Sequence, residues 1–102
     1  MDEQQQVAAF IEEHDLTAPS EYRLLDLHSE VGELAKDAAV STDYGESPEN
    51  LTIASDEIGD ALFALLALAE SLDVDADEAL DEALEKYRDR MADSGGPGSG
   101  DR

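Results

Sequence analysis

Apolar residues recur at helical spacing along most of the chain, and strand-like alternation appears nowhere. Val7, Phe10 and Ile11 share one face of a segment that reads as a helix over residues 3–14, with Asp2 placed to cap it. Residues 15–20 form a connection in which Thr17 or Ala18 can cap the next helix and Pro19 fits its first turn. Leu24, Leu27, Val31, Leu34, Ala35 and Ala38 then mark a second helix over about 19–40. A loop follows at 41–47, with Gly45 as its reversal point. Ser47, Pro48 and Glu49 read as a helix start, which predicts a third helix over 48–71. Its core stripe is Ile58, Ala61, Leu62, Leu65, Leu66, Ala69 and Leu72. Asp75 and Glu78 form a capping box for a fourth helix over 76–92, striped by Leu80, Ala83, Leu84, Tyr87 and Met91. The expected fold is all-α, with four helices in one domain over 1–93 and a flexible tail at 94–102.

From Ala61 to Ala69 the third helix carries no polar residue. A helix that is apolar on every side is covered on every side. A chain of 102 residues has few elements to do that, so a partner subunit is expected over Ala61–Ala69, in a homodimer or a tetramer. The same run is far too short to span a bilayer. The N-terminus lacks the basic and apolar regions of a signal peptide, so the expected location is the cytoplasm. There is no cysteine, which excludes disulfides and thiolate metal sites.

Charge changes the picture most. Twenty-seven acidic residues against 6 Lys+Arg give a net charge of −21. Such a chain repels nucleic acid and anionic membranes, and neither is an expected partner. The acids are spread over every segment of an otherwise ordinary amphipathic pattern. That suggests a halophilic protein in a cytosol rich in salt, where ions screen the self-repulsion.

Within this excess of acid, one pattern occurs twice: Glu30-Val31-Gly32-Glu33 and Glu57-Ile58-Gly59-Asp60. Carboxylates three residues apart share a helix face. At this composition roughly seven such pairs arise by chance, and Glu78–Asp81 and Glu82–Glu85 read as solvated examples. Three features separate the chosen two. Both border an apolar stripe, both contain a mid-helix glycine that costs about 1 kcal/mol relative to alanine, and Glu57 and Asp60 lead straight into the apolar run. A glycine there is expected where another backbone or a ligand comes close. Packed together, the pairs would form a pocket of four carboxylates, suited to a hard cation such as Mg²⁺. Other metal chemistry fails. No Glu-x-x-His occurs at His14 or His28, and the acidic stretch from Asp73 lacks the turn glycine and terminal acid of a calcium loop. His28 lies near the acidic face, where it could touch a substrate.

At these residues the chain resembles the MazG-type all-α nucleoside triphosphate pyrophosphohydrolases. The shared pattern is Glu-x-x-Glu, a gap, then Glu-x-x-Asp. The stretches Asp56–Ala64 and Asp77–Met91 also look similar, so the resemblance covers roughly residues 7–92. It implies that Glu30, Glu33, Glu57 and Asp60 ligate Mg²⁺, with Mn²⁺ as a substitute. It also implies hydrolysis of a nucleoside triphosphate to the monophosphate and pyrophosphate, as in house-cleaning of nucleotide pools. Glu33 is the candidate base. Lys36, Lys86 and Arg90 are candidates for phosphate contacts, or else form surface charge pairs. The chain departs from the common pattern at Ser29, where many members carry an acid, and at Leu84, where many carry Asn. The rival function is a non-catalytic helical interaction module whose acids serve solubility alone.

Overall fold

A computed structural model describes residues 2–94, and every regular element within them is helical. Helix α1 spans Asp2–Glu13, α2 Ser20–Ser41, α3 Ser55–Ser71 and α4 Ala76–Ser94. The expected all-α, four-helix architecture is therefore present. The tail expected from 94 onward lies outside the described residues, apart from Ser94, which ends α4.

Helix α2 packs along α3, and α1 packs on α3 from another side. The direction of the α2–α3 pair follows from one contact. The Ser20 hydroxyl at the start of α2 donates to the Ser71 hydroxyl at the end of α3, at 2.9 Å. The Ser71 hydroxyl in turn donates to the Leu68 carbonyl at 2.7 Å. The two helices thus form an antiparallel hairpin. The small interior is built on α3: Ala64, Leu66 and Ala67 are buried, Val7 of α1 joins them, and Ile11, Phe63 and Ala76 pack at the edge.

The third helix begins at Ser55 rather than Pro48. Pro48–Asn50 form a single 3-10 turn, and Leu51 leaves it in an extended conformation at φ −51°, ψ 126°. Side chains hold this detour. The Thr52 N–H donates to the Ser41 hydroxyl at 3.0 Å, and the Thr52 hydroxyl donates to the Asn50 carbonyl at 3.0 Å. Local hydroxyl bonds of this kind compete with the helix. Neither Thr17 nor Ala18 caps α2; Pro19 occupies the N-cap position and no side chain caps it. The stripe expected on α2 is only partly covered. Leu27, Leu34 and Ala38 are half-buried, while Leu24 and Val31 stay exposed.

Helix ends follow a common plan. Asp15 and Asp73 adopt left-handed conformations, at φ 56° and 55°. Beyond them, Leu16 N–H bonds back to the Ile11 carbonyl and Val74 N–H to the Ala69 carbonyl, each at 2.9 Å. This is the Schellman arrangement, with Asp in the position usually held by Gly. After α2 the left-handed residues are Asp43, Tyr44 and Gly45, the last at φ 92°. The expected reversal at Gly45 is therefore present, two residues wider than the glycine alone. At the start of α4, the Asp75 carboxylate accepts from the N–H groups of Asp77 at 2.9 Å and Glu78 at 3.2 Å, as a capping residue should.

Three polar residues are buried for structural reasons. Gln4 is only 7% exposed. Its amide donates to the Glu70 carboxylate at 3.1 Å and the Val74 carbonyl at 2.8 Å, and its oxygen accepts from the Ala76 N–H at 2.8 Å. One side chain thereby ties α1 to the first residue of α4. Arg23 donates to the Leu16 carbonyl and pins the α1–α2 connection. Thr42 donates to the Ala38 carbonyl at 2.6 Å and accepts from the Gly45 N–H at 3.1 Å, closing the end of α2.

Candidate functional site

The antiparallel hairpin decides where the acids go. Steps from the Ser20–Ser71 bond, along α2 in one direction and α3 in the other, bring Glu30 to within one residue of level with Asp60 and Glu33 to within one residue of level with Glu57. The electrostatics agree with that register. Partial desolvation pushes the Glu30 carboxyl above its ordinary range, and the negative charges of Asp60, Asp26 and Glu33 add to the effect in that order. Asp60 is thus a stronger charged neighbour of Glu30 than the acids of its own helix. Glu57 is half-buried, and its Oε1 is cut off from solvent without a hydrogen-bond partner. A buried carboxylate oxygen without a donor is costly and calls for a cation or a proton.

Not every expected feature is assembled. Among the described residues, no group of three or more His, Asp or Glu side chains converges closely enough to hold a metal ion. Glu33 and Asp60 remain exposed. Helix register thus sets the acids opposite one another, while their side chains are not drawn in. An all-carboxylate donor set with one orphaned buried oxygen fits a hard divalent cation in its chemistry. The glycines do not mark a close approach within the chain: a methyl group added at Gly32 or Gly59 would meet nothing within 4 Å.

The basic candidates lie elsewhere. Lys36 is exposed on α2. Lys86 and Arg90 share a groove of about 360 Å³ on α4 with Glu82, Glu85, Asp89 and Asp93, and that groove includes no residue of α2 or α3. Lys86 also lies over the Tyr87 ring, its Nζ 5.6 Å from the centroid. His28 is exposed on α2. Two larger cavities flank α3. One, of about 710 Å³, lies beside Arg23 at the Ser20–Ser71 end of the hairpin, away from the acid pairs. The other, of about 620 Å³, is lined in part by Asp60.

A family model, the MazG nucleotide pyrophosphohydrolase domain, matches residues 19–93, which takes in α2, α3 and nearly all of α4. The chain belongs to the MazG family. Both acidic pairs fall inside the matched segment, and α1 falls outside it. The chain is also similar to the uncharacterized protein YpjD of Bacillus subtilis (strain 168), at 42% identity over 71 residues. That match covers 66% of this chain and 62% of YpjD, so the MazG chain described here spans less than two thirds of that relative. No solved structure matches it. No described helix is long and apolar enough to cross a membrane.

Asp26 lies one turn before Glu30 on α2 and is a further charged neighbour of it. What periodicity alone does not give is the tertiary part, that this face turns toward Asp60.

Proposed function

We propose that this MazG-family chain is a Mg²⁺-dependent nucleoside triphosphate pyrophosphohydrolase that yields a monophosphate and pyrophosphate. The observation that carries the proposal is the pairing across the hairpin, in which Glu30 faces Asp60 while Glu57 keeps an unsatisfied buried oxygen. Glu30, Glu33, Glu57 and Asp60 would hold the cation, Mg²⁺ or in its place Mn²⁺. When bound, such a cation neutralises phosphate charge and lowers the pKa of water. The chain's own residues do the rest. Glu33, exposed on α2, accepts the proton of the attacking water. The water oxygen forms a bond to phosphorus as the α–β anhydride bond breaks, and pyrophosphate leaves. Lys36 on α2 is the nearest basic candidate in sequence to the acids. Lys86 and Arg90, whose groove lies along α4, are the further candidates for phosphate contacts.

An assembly of copies belongs to the same proposal. Leu62 and Leu65, within Ala61–Ala69, are about half exposed, and Leu80, Leu84, Tyr87 and Met91 leave the α4 stripe open. A homodimer or tetramer covers such faces. At a charge of −21 per chain, association requires screening, so cytoplasmic work at high salt and assembly fit together.

The test is pyrophosphate release from common and modified nucleoside triphosphates with Mg²⁺ or Mn²⁺ in high salt, comparing wild type with Asp60→Asn. Release by wild type, reduced a hundredfold or more in the variant, is expected when a metal ligand is lost. No release by folded wild type from any nucleotide would contradict the proposal and leave a helical interaction module.

A further inference from the structure

The cavity of about 620 Å³ beside Asp60 is lined by Gln6 and Phe10 of α1 and by Asp56, Gly59, Asp60 and Phe63 of α3. We infer that this cavity seats the nucleobase of the substrate and favours bases that carry an exocyclic amino group. The inference rests on the nucleotide pyrophosphohydrolase reading and adds its specificity.

Asp60 gives the connection, because it belongs both to the paired acids and to the cavity wall. A triphosphate held at the acids therefore has the cavity as a neighbour. The walls suit a flat, neutral ring. Phe10 and Phe63 meet edge to face, with centroids 5.9 Å apart and planes at 89°. Phe10 is 46% exposed, so its ring has free surface on which a base can stack. Gly59 keeps the wall open, since an added Cβ there would meet nothing within 4 Å. The polar rim gives the preference. Gln6 and Asp56 make no side-chain hydrogen bonds among the described residues, in contrast to Gln4 with its three. The Gln6 amide can donate or accept, whereas an ionised Asp56 can only accept. An exocyclic amino group supplies the donor that Asp56 lacks, and a ring carbonyl in the same place meets a carboxylate. The negative rim repels phosphate and leaves a neutral base unaffected. Because α1 lies outside the residues matched to the family, this wall is supplied by the chain's own first helix.

Steady-state hydrolysis of dCTP, dUTP and inorganic tripolyphosphate tests the inference, since tripolyphosphate engages the acids and has no base. Wild type should turn over dCTP with higher kcat/KM than dUTP. Phe10→Ala should raise KM for dCTP about tenfold while leaving tripolyphosphate cleavage unchanged. Asp56→Asn should shrink the dCTP-to-dUTP ratio. Gly59→Leu fills the cavity from a position with open space and should also raise KM for dCTP. Wild-type KM for dCTP in both Phe10→Ala and Gly59→Leu would overturn the inference while leaving the pyrophosphohydrolase reading intact. So would an equal loss on tripolyphosphate and dCTP in Phe10→Ala. Failure of wild type to cleave dCTP would overturn this inference, and failure on every nucleoside triphosphate of the wider panel would overturn the underlying reading with it.

Discussion

The α2–α3 hairpin and α4 begin from the same kind of sequence, an apolar stripe bordered by acids, and end differently. On α3 the apolar run is partly covered by the chain itself: Ala64, Leu66 and Ala67 are buried, while Ile58, Leu62, Leu65 and Leu72 of the expected stripe stay exposed. On α4, Leu80, Leu84, Tyr87 and Met91 all remain exposed, and the helix is anchored mainly at its start by Gln4 and the Asp75 cap. Periodicity marks a face that is stable when buried, but it does not name the partner. The hairpin finds its partner within the chain, and the α4 face stays open. The acids follow the same division. Those of the hairpin are set against each other across an interface, and those of α4 share one helix with the basic residues Lys86 and Arg90.

The largest expected effect is in the interior built on α3, where Leu66 packs with Val7 and Ala67. Leu66→Ala should cost about 2–5 kcal/mol in urea unfolding. Leu80→Ala, measured at protein concentrations low enough to keep the chain monomeric, should change stability by no more than about 0.5 kcal/mol. Equal costs would erase the distinction between the two regions. Next in size, Leu84→Asp places a charge in the open α4 stripe. It should shift the light-scattering mass at high salt toward the monomer while helical circular dichroism is retained. An unchanged mass would remove α4 from the interface. Gln4→Ala removes three hydrogen bonds at a site only 7% exposed and should cost about 1–3 kcal/mol. Hydrogen exchange should rise first at the start of α4, where the Ala76 N–H loses its acceptor.

The smallest effect is a pH dependence. The Glu30 carboxyl is raised from its ordinary 4.5 by desolvation and then by Asp60, Asp26 and Glu33. The folded state therefore holds its proton more tightly than the unfolded state does. Without divalent metal, the contribution of Glu30 to stability is fully present below that ordinary value and is lost as pH rises through it to the raised value. Glu30→Gln should flatten that part of the profile, which thermal melts at fixed salt would record. A profile unchanged by the substitution would mean that Asp60 does not oppose Glu30 across the hairpin.

Much of this was legible in the sequence. The four helices follow from apolar spacing, Gly45 from its turn position and the Asp75 cap from its distance to Glu78. What escaped was decided by contacts distant in sequence or by local competition. The stretch 48–54 has a good helix start in Ser47-Pro48-Glu49, yet hydroxyl bonds from Thr52 and to Ser41 draw it out of the helix. Gln4, Arg23 and Thr42 are polar and would be assigned to the surface; each is buried because a backbone group elsewhere needs it. The paired acids were recognisable as a repeated pattern. That Glu30 lies opposite Asp60 depends on the antiparallel register, which the Ser20–Ser71 bond reveals. Gly32 and Gly59 were expected at a close approach, and open space is found beside them.

The central claim is that the hairpin sets these acids for a divalent cation. It is tested most directly by thermal melting in high monovalent salt, with and without millimolar Mg²⁺ or Mn²⁺, for wild type and Glu57→Gln. A cation present at about ten times its Kd for the folded state should raise the wild-type melting temperature by about 7 °C. That rise should be absent in Glu57→Gln. The same rise in both proteins, or none in wild type beyond the effect of added salt, would contradict the claim.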